Sequence, residues 1–166
     1  VSLTGQTATG GEAGGADNLQ GGIGDDVLYG MGGIDILVGG AGVDIVRGGA
    51  GNDGIYLSAG DDEVGEVLDG GAGDLDALVI NSGTFDLRDD TVTSLEIFQF
   101  SGISNLLATL SINAAQLTDV FGMVSNDLID SQIHIYMADS TLLVLGDMIF
   151  QDFGIDDRIW IHGDAD

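Results

Sequence analysis

An acid recurs every nine residues through the early part of this chain. Asp17, Asp26, Asp35, Asp44, Asp53 and Asp62 keep the step, and two residues after each stands an aliphatic side chain: Leu19, Leu28, Leu37, Val46, Ile55 and Val64. Glycines precede the acids, as in GGIGDDVLY (21–29), GMGGIDILV (30–38), GGAGVDIVR (39–47) and GGAGNDGIY (48–56). EAGGADNLQ (12–20) and LSAGDDEVG (57–65) keep the fourth-position glycine, the acid and the apolar residue. EVLD then intervenes, and GGAGDLDAL (70–78) carries its acid one place late, at Asp76. Six units hold the period and a seventh is irregular. Such self-similarity points to a repeat architecture.

Nine residues hold one tight turn and one short strand. The glycines permit backbone angles that other residues resist, and the residues after each turn alternate outward, inward, outward. Two such units make an eighteen-residue coil. Stacked coils lie about 4.8 Å apart and pair through their backbones, so the inward aliphatics form a column. The same stacking puts Asp17, Asp35 and Asp53 on one edge and Asp26, Asp44 and Asp62 on the other. Like charges at roughly 5 Å repel by near 1 kcal/mol even at the dielectric of water. The chain adds 28 acids against three arginines and no lysine, a net charge of −25. Protein side chains cannot offset that repulsion, so a cation must.

Carboxylates and turn carbonyls together make an all-oxygen cage, which suits a hard divalent ion, and Ca²⁺ better than Mg²⁺. Zinc and copper would want His or Cys, which these turns lack. The pairs 17/35, 35/53, 26/44 and 44/62 each bracket a site, and Asp53 with Asp76 brackets a fifth across the insertion. The turn glycines of the site set are Gly21, Gly22, Gly24, Gly30, Gly32, Gly39, Gly40, Gly42, Gly48, Gly49 and Gly51. About four to six calcium ions are expected. Asp25 and Asp61, one place earlier in the motif, are expected to be solvated or to stand behind the ligands.

Glycine divides the chain in two. Of 29 glycines most lie before residue 77, whereas all six phenylalanines and the one tryptophan follow residue 84. In the second part LEIFQF (95–100), LATLSI (107–112), QIHIY (132–136), LLVL (142–145) and RIWIH (158–162) read as strands. NAAQLTDVFG (113–122) reads as one short helix, capped by Asn113 and ended by Gly122, with Leu117, Val120, Phe121 and Val124 on one face. Longer coils of the same solenoid are the simplest expectation. A separate small β-sandwich is the alternative.

The motif GGxGxDxUx, carried by residues 12–65, resembles the repeat of RTX proteins. That resemblance implies a parallel β-roll with calcium in its turns and export through a type I secretion system. The stretch from INSGTFDL to INAAQL is similar to segments that alternate with repeat blocks in very large bacterial RTX proteins. RTX repeats occur in toxins, proteases, lipases, epimerases, adhesins and surface-layer proteins, so the motif speaks for calcium and fold and says little about activity.

Other chemistries find weaker support. So acidic a chain repels nucleic acid and anionic membranes. There is no cysteine, no stretch approaching a membrane span, and no basic-then-apolar leader. VSLTG at the start and RIWIHGDAD at the close look like cuts through a longer polypeptide. No G-x-x-x-x-G-K-[ST] occurs, and an Asp follows each G-x-G where a phosphate would be repelled. His134 with Ser131 or Asp139 is a conceivable hydrolase set, but no G-x-S-x-G elbow accompanies it, and both His134 and His162 are expected at the surface. Outward apolar residues, Val27, Tyr29, Ile36, Val38, Ile45 and Tyr56, either lie under the second half or form a docking surface. Tyr29, Tyr56, Tyr136 and Trp160 would stack on sugars if they met.

The expected fold class is all-β. A right-handed parallel β-roll (12–79) runs into a wider parallel β-solenoid or capping segment with one short helix (80–166). The expected role is a non-enzymatic calcium-binding module that folds outside the cell as a scaffold or spacer. Its partners would be adjacent modules of a larger secreted RTX protein. The alternative is a carbohydrate- or surface-binding module, with a cell-surface or glycan ligand.

Overall fold

The structure is a computed structural model. It describes residues 7–10, 14–81, 83–101, 106–117, 120, 122–125, 129–136, 149–151 and 158–162. Sixteen strands are found among these residues. In the repeat half they are β1 (Thr7–Thr9), β2 (Asn18–Ile23), β3 (Val27–Gly32), β4 (Ile36–Ala41), β5 (Ile45–Ala50) and β6 (Gly54–Leu57). There follow β7 (Val67–Ala72), β8 (Ala77–Ile80), β9 (Gly83–Asp86), β10 (Thr91–Thr93) and β11 (Ile97–Phe100). The chain continues through β12 (Leu106–Asn113), β13 (Gly122–Ser125), β14 (Ile129–Tyr136), β15 (Ile149–Gln151) and β16 (Arg158–His162).

The described strand pairs are parallel, and they form three sheets. One sheet runs β1-β3-β5-β7-β10 and a second runs β9-β12-β14-β16. The third, β2-β4-β6-β8-β11-β13-β15, is a spine shared by both halves. The architecture is a parallel β-solenoid consistent with a β-roll, and the coils continue along the spine into the second half.

Alternation along each strand decides what is buried. Leu28, Leu37, Val46 and Ile55 are at most 1% exposed and form the expected column, while Leu19 is half-buried at its margin. Each such side chain contributes about 1.5–3 kcal/mol on full burial. Their outward neighbours Val27, Tyr29, Val38, Ile45 and Tyr56 are half-buried, and Ile36 is 40% exposed. On that outer face Arg47 lies 5.7 Å from the Tyr29 ring, donates to its hydroxyl at 3.3 Å, and reaches Asp69 at 3.9 Å.

The column departs from the nine-residue step at Val64, which is 74% exposed. Leu68 occupies the buried place beneath Val46 instead. The reason is local: residues 58–65 make a wide turn rather than a strand, and EVLD, which reads as an interruption, supplies the start of β7. The coil thereby lengthens, with Ile45 over Val67 and Gly54 over Ala77.

Wider coils need larger fillers, and Phe85, Phe98 and Phe100 are fully buried there beside Leu110, Ile112, Ile133 and Ile135. The strands expected at 95–100, 107–112, 132–136 and 158–162 are present as β11, β12, β14 and β16. LLVL (142–145) lies outside the described residues. The expected short helix is instead a 3-10 turn, Ala114–Leu117, and Gly122 begins β13 rather than ending a helix. Gln116 explains the change. Its Oε1 accepts the Asn113 N–H at 2.8 Å, and its Nε2 donates to the Leu87 and Asp90 carbonyls of the preceding coil. This tie holds the turn against the preceding coil, and the spine takes its next strand at Gly122, paired with Ile97.

Candidate metal-binding turns

Stacking the turns stacks the acids. On one edge the backbone N–H of Asp17 donates to Asp35 Oδ1, that of Asp35 to Asp53, that of Asp53 to Asp76, and that of Asp76 to Glu96 Oε2, all at 2.7–2.8 Å. The 53/76 pair is therefore stacked like the others despite the longer coil. On the other edge Asp26 N–H donates to Asp44 Oδ1 at 2.8 Å. Below Asp44, strand register places Glu66 and then Asp90, because Ile45 pairs with Val67 and Val67 with Thr91. Asp90 Oδ1 accepts from Gly65 N–H at 2.8 Å and Glu66 N–H at 3.0 Å.

Asp62 stands outside this ladder. Both its oxygens lie 3.0 Å from the Asp86 N–H, so the 44/62 pair is not formed and Glu66 takes the place under Asp44. The wide turn of 58–65 carries Asp62 away from Asp44 and onto the Asp86 N–H. Glu66, Asp90 and Glu96 are the acids missed by the nine-residue count. The legible signal was EVLDGGAG (66–73), which repeats DIVRGGAG (44–51) with Glu in place of Asp.

The carboxylates are not surface groups. Asp35, Asp44, Asp53 and Asp76 are at most 2% exposed; one oxygen of each takes a backbone N–H or lies in the ladder, while Oδ2 is buried without a hydrogen-bond partner. Glu66 is 2% exposed with Oε2 in the same condition. Burial penalises the charged form. It pushes Asp44 and Asp76 up to about 6, with neighbouring carboxylates adding to the effect. Asp53 moves up for the same reason, and Glu66 reaches about 9 through burial first and the Asp90 charge next.

These oxygens face a shaped space. A Cβ on Gly30 would strike both Asp35 Oδ2 and the Gly48 carbonyl, and one on Gly48 would strike Asp53 Oδ2 and the Gly70 carbonyl. At Gly21 the corresponding neighbours are the Gly39 carbonyl at 2.5 Å and Asp26 Oδ2 at 2.7 Å. The turns at Gly21, Gly30 and Gly48 thus each bring a carboxylate oxygen and a carbonyl of the next coil to one glycine. Gly22, Gly24, Gly40, Gly42, Gly49 and Gly51 hold the positive-φ turn positions. In the unit 30–38 these places belong to Met31 (φ 77°) and Gly33, whereas Gly32 is buried in β3. Among the described residues no three acidic or histidine side chains form a ready-made metal cluster. A turn offers one carboxylate, and carbonyls must complete the shell, which is the donor chemistry of a hard cation.

The remaining candidates fall elsewhere. Asp25 Oδ1 accepts the exposed Val43 N–H at 3.0 Å. Asp61 Oδ2 accepts the Ser58 N–H at 2.9 Å and is half-buried. His134 and His162 are neighbours on β14 and β16, with Nδ1 and Nε2 2.9 Å apart. The Tyr136 ring stacks on His162 at 4.5 Å, and Arg88 lies 4.2 Å over Tyr136. Asp139 lies outside the described residues. No helix among the described residues is long and apolar enough to cross a membrane.

Compared with known proteins, residues 13–46 and 29–64 match the family model of the RTX calcium-binding nonapeptide repeat, four copies in all. No curated protein and no solved structure matches the chain.

Proposed function

From a chain whose residues 13–64 carry four RTX calcium-binding repeats, we propose a calcium-binding structural module that folds on the ion and then serves as a rigid spacer. One observation carries this reading: a ladder of buried carboxylates whose inner oxygens lack partners. Only one aliphatic per nine-residue unit is buried in the repeats, against glycine-rich backbone that loses much entropy on ordering. With the ion bound, adjacent coils are neutralised and tied, so binding free energy becomes folding free energy. The working range is the ~10⁻⁴–10⁻³ M of extracellular calcium modules. That range, and the company RTX repeats keep in secreted proteins, supports a place outside the cell beside further modules of a larger protein. The module itself performs no catalysis in this reading.

Circular dichroism across a calcium titration tests it. Strand signal should rise cooperatively with calcium and fall on chelation, with part retained by the phenylalanine-filled coils. A spectrum that is identical in excess chelator and in millimolar calcium overturns the reading.

A second reading, a glycan- or surface-binding module, draws on the outer face of β14 and β16. There Tyr136, His162, His134 and Trp160 meet, with Trp160 50% exposed. Screening of the calcium-loaded protein on glycans, with Trp160→Ala as control, separates the two.

A further inference from the structure

The sheet β9-β12-β14-β16 gathers on its outer face side chains that the carboxylate ladder does not use. His134 on β14 and His162 on β16 are the chain's two histidines. Both stand outward, since the alternate residues Ile133 and Ile135 are fully buried and Ile159 packs against the same core. Parallel pairing sets His134 beside Trp160 and Tyr136 beside His162, so the two imidazoles meet on the diagonal. His134 Nδ1 and His162 Nε2 lie 2.9 Å apart.

Neighbouring rings hold this pair in place. Trp160 stacks on His134 with centroids 6.2 Å apart, the two imidazoles stack at 5.1 Å, and Tyr136 stacks on His162 at 4.5 Å. Arg88 lies over Tyr136 and is itself fixed by Asp86 at 2.6 Å. As they stand, one imidazole donates its N–H to the other. Two nitrogens each bound at about 2.0–2.1 Å to one ion, at a right angle across it, also stand about 2.9 Å apart. The pair thus has the spacing of a chelate. Imidazole is a donor that copper, nickel and zinc favour, whereas calcium takes oxygen.

We propose that His134 Nδ1 and His162 Nε2 chelate one late first-row divalent ion, copper(II) most tightly, on the outer face of β14 and β16. To bind it, the donating ring carries its proton on its other nitrogen instead, so that both rings offer a lone pair. A modest turn of each ring about χ2, a broad torsion in histidine, brings the two lone pairs onto the ion. Among the described residues no third histidine or acid joins them in a metal cluster, so water fills the remaining positions and the site stays open to solvent. The net charge of −25 raises the local concentration of any cation. Copper(II) leads because it stands at the top of the affinity order for nitrogen donors. Bound there, the ion ties β14 to β16 outside the core. Its donors are nitrogen and those of the glycine turns are oxygen, so this site is independent of the calcium reading of the repeats.

Titration of the full chain with Cu²⁺ at neutral pH, in saturating calcium, tests it. Calcium occupies the oxygen donors first, which leaves copper the imidazoles. Trp160 is the only tryptophan and stacks on His134, so the first equivalent of Cu²⁺ should quench its emission. His134→Gln and His162→Gln should each lose that quenching. Both variants alter half-buried side chains, so electron paramagnetic resonance of the parent chain supplies a measurement that needs no variant: the first equivalent of copper should show coupling to two nitrogens. Absence of quenching by the first equivalent, quenching that persists in either variant, or a copper spectrum with oxygen ligands alone means that the histidines are a hydrogen-bonded pair only and overturns the proposal.

Discussion

Asp53 Oδ1 accepts the backbone N–H of Asp35, one coil away, at 2.8 Å, while Asp53 Oδ2 is turned in beside Gly48 with no partner. One side chain therefore does two separable jobs. The first oxygen satisfies a buried donor, and the second asks for a cation.

The two jobs come apart by substitution. Asp53→Asn keeps an oxygen for the Asp35 N–H but removes the charge, so it should weaken calcium binding and leave the calcium-free coils at least as ordered as the parent. Asp53→Ala leaves the N–H buried and unmet, and should cost roughly 1–3 kcal/mol even in saturating calcium. Calcium titration followed by denaturant unfolding of both variants checks this. Equal unfolding midpoints in calcium for Asn and Ala would contradict it.

Protons should substitute in part for calcium. Asp44 and Asp76 titrate near 6 when folded against 3.8 ordinarily, and Glu66 near 9 against 4.5. The folded coils therefore hold more protons than the unfolded chain between those values, and stability falls as pH rises. In chelator, order should be greatest below the ordinary carboxylate range and be lost as pH climbs through about 6 and then about 9. With calcium present the trend reverses, since protons compete for the ligands. Circular dichroism against pH, with and without chelator, reads both slopes.

Met31 occupies a turn position at φ 77° that Gly22, Gly40 and Gly49 fill in the neighbouring units, and it is 57% exposed. A left-handed backbone costs a side-chain residue roughly 1–2 kcal/mol. Met31→Gly should accordingly raise the melting temperature of the calcium-loaded protein, although greater freedom of the unfolded chain offsets part of the gain. A lower melting temperature would show that the methionine side chain is holding something.

Gly51 sits at φ 130°, and a Cβ there would run into the Gly33 carbonyl of the coil before. Gly51→Ala should disrupt stacking of the 48–56 turn on the 30–38 turn and lower the number of calcium ions bound. Calorimetric stoichiometry checks it.

Much of this was legible in the sequence, and the failures have a common cause. The nine-residue phase correctly placed Leu28, Leu37, Val46 and Ile55 in the core and stacked Asp17, Asp35 and Asp53. It failed at Asp62 and Val64, where phase persisted after the coil had widened. Counting residues cannot see a turn grow by exchanging a strand for a loop. Chemical similarity could have, since Glu66 does the work of an aspartate one methylene longer. The 3-10 turn at Ala114–Leu117 was hidden for another reason: Gln116 ties it to a carbonyl of another coil, 29 residues away in sequence.

The ladder also has a direction. From Asp17 to Glu96 the donor always belongs to the earlier coil and the acceptor to the later one. A finished coil thus displays ready acceptors toward its N-terminal neighbour, while its own donors wait for whatever follows. The two ends are therefore unequal as growing faces. Accretion from the phenylalanine-filled end toward the glycine-rich end meets a template at every step, whereas growth the other way leaves each new row of N–H groups capless until the next coil arrives.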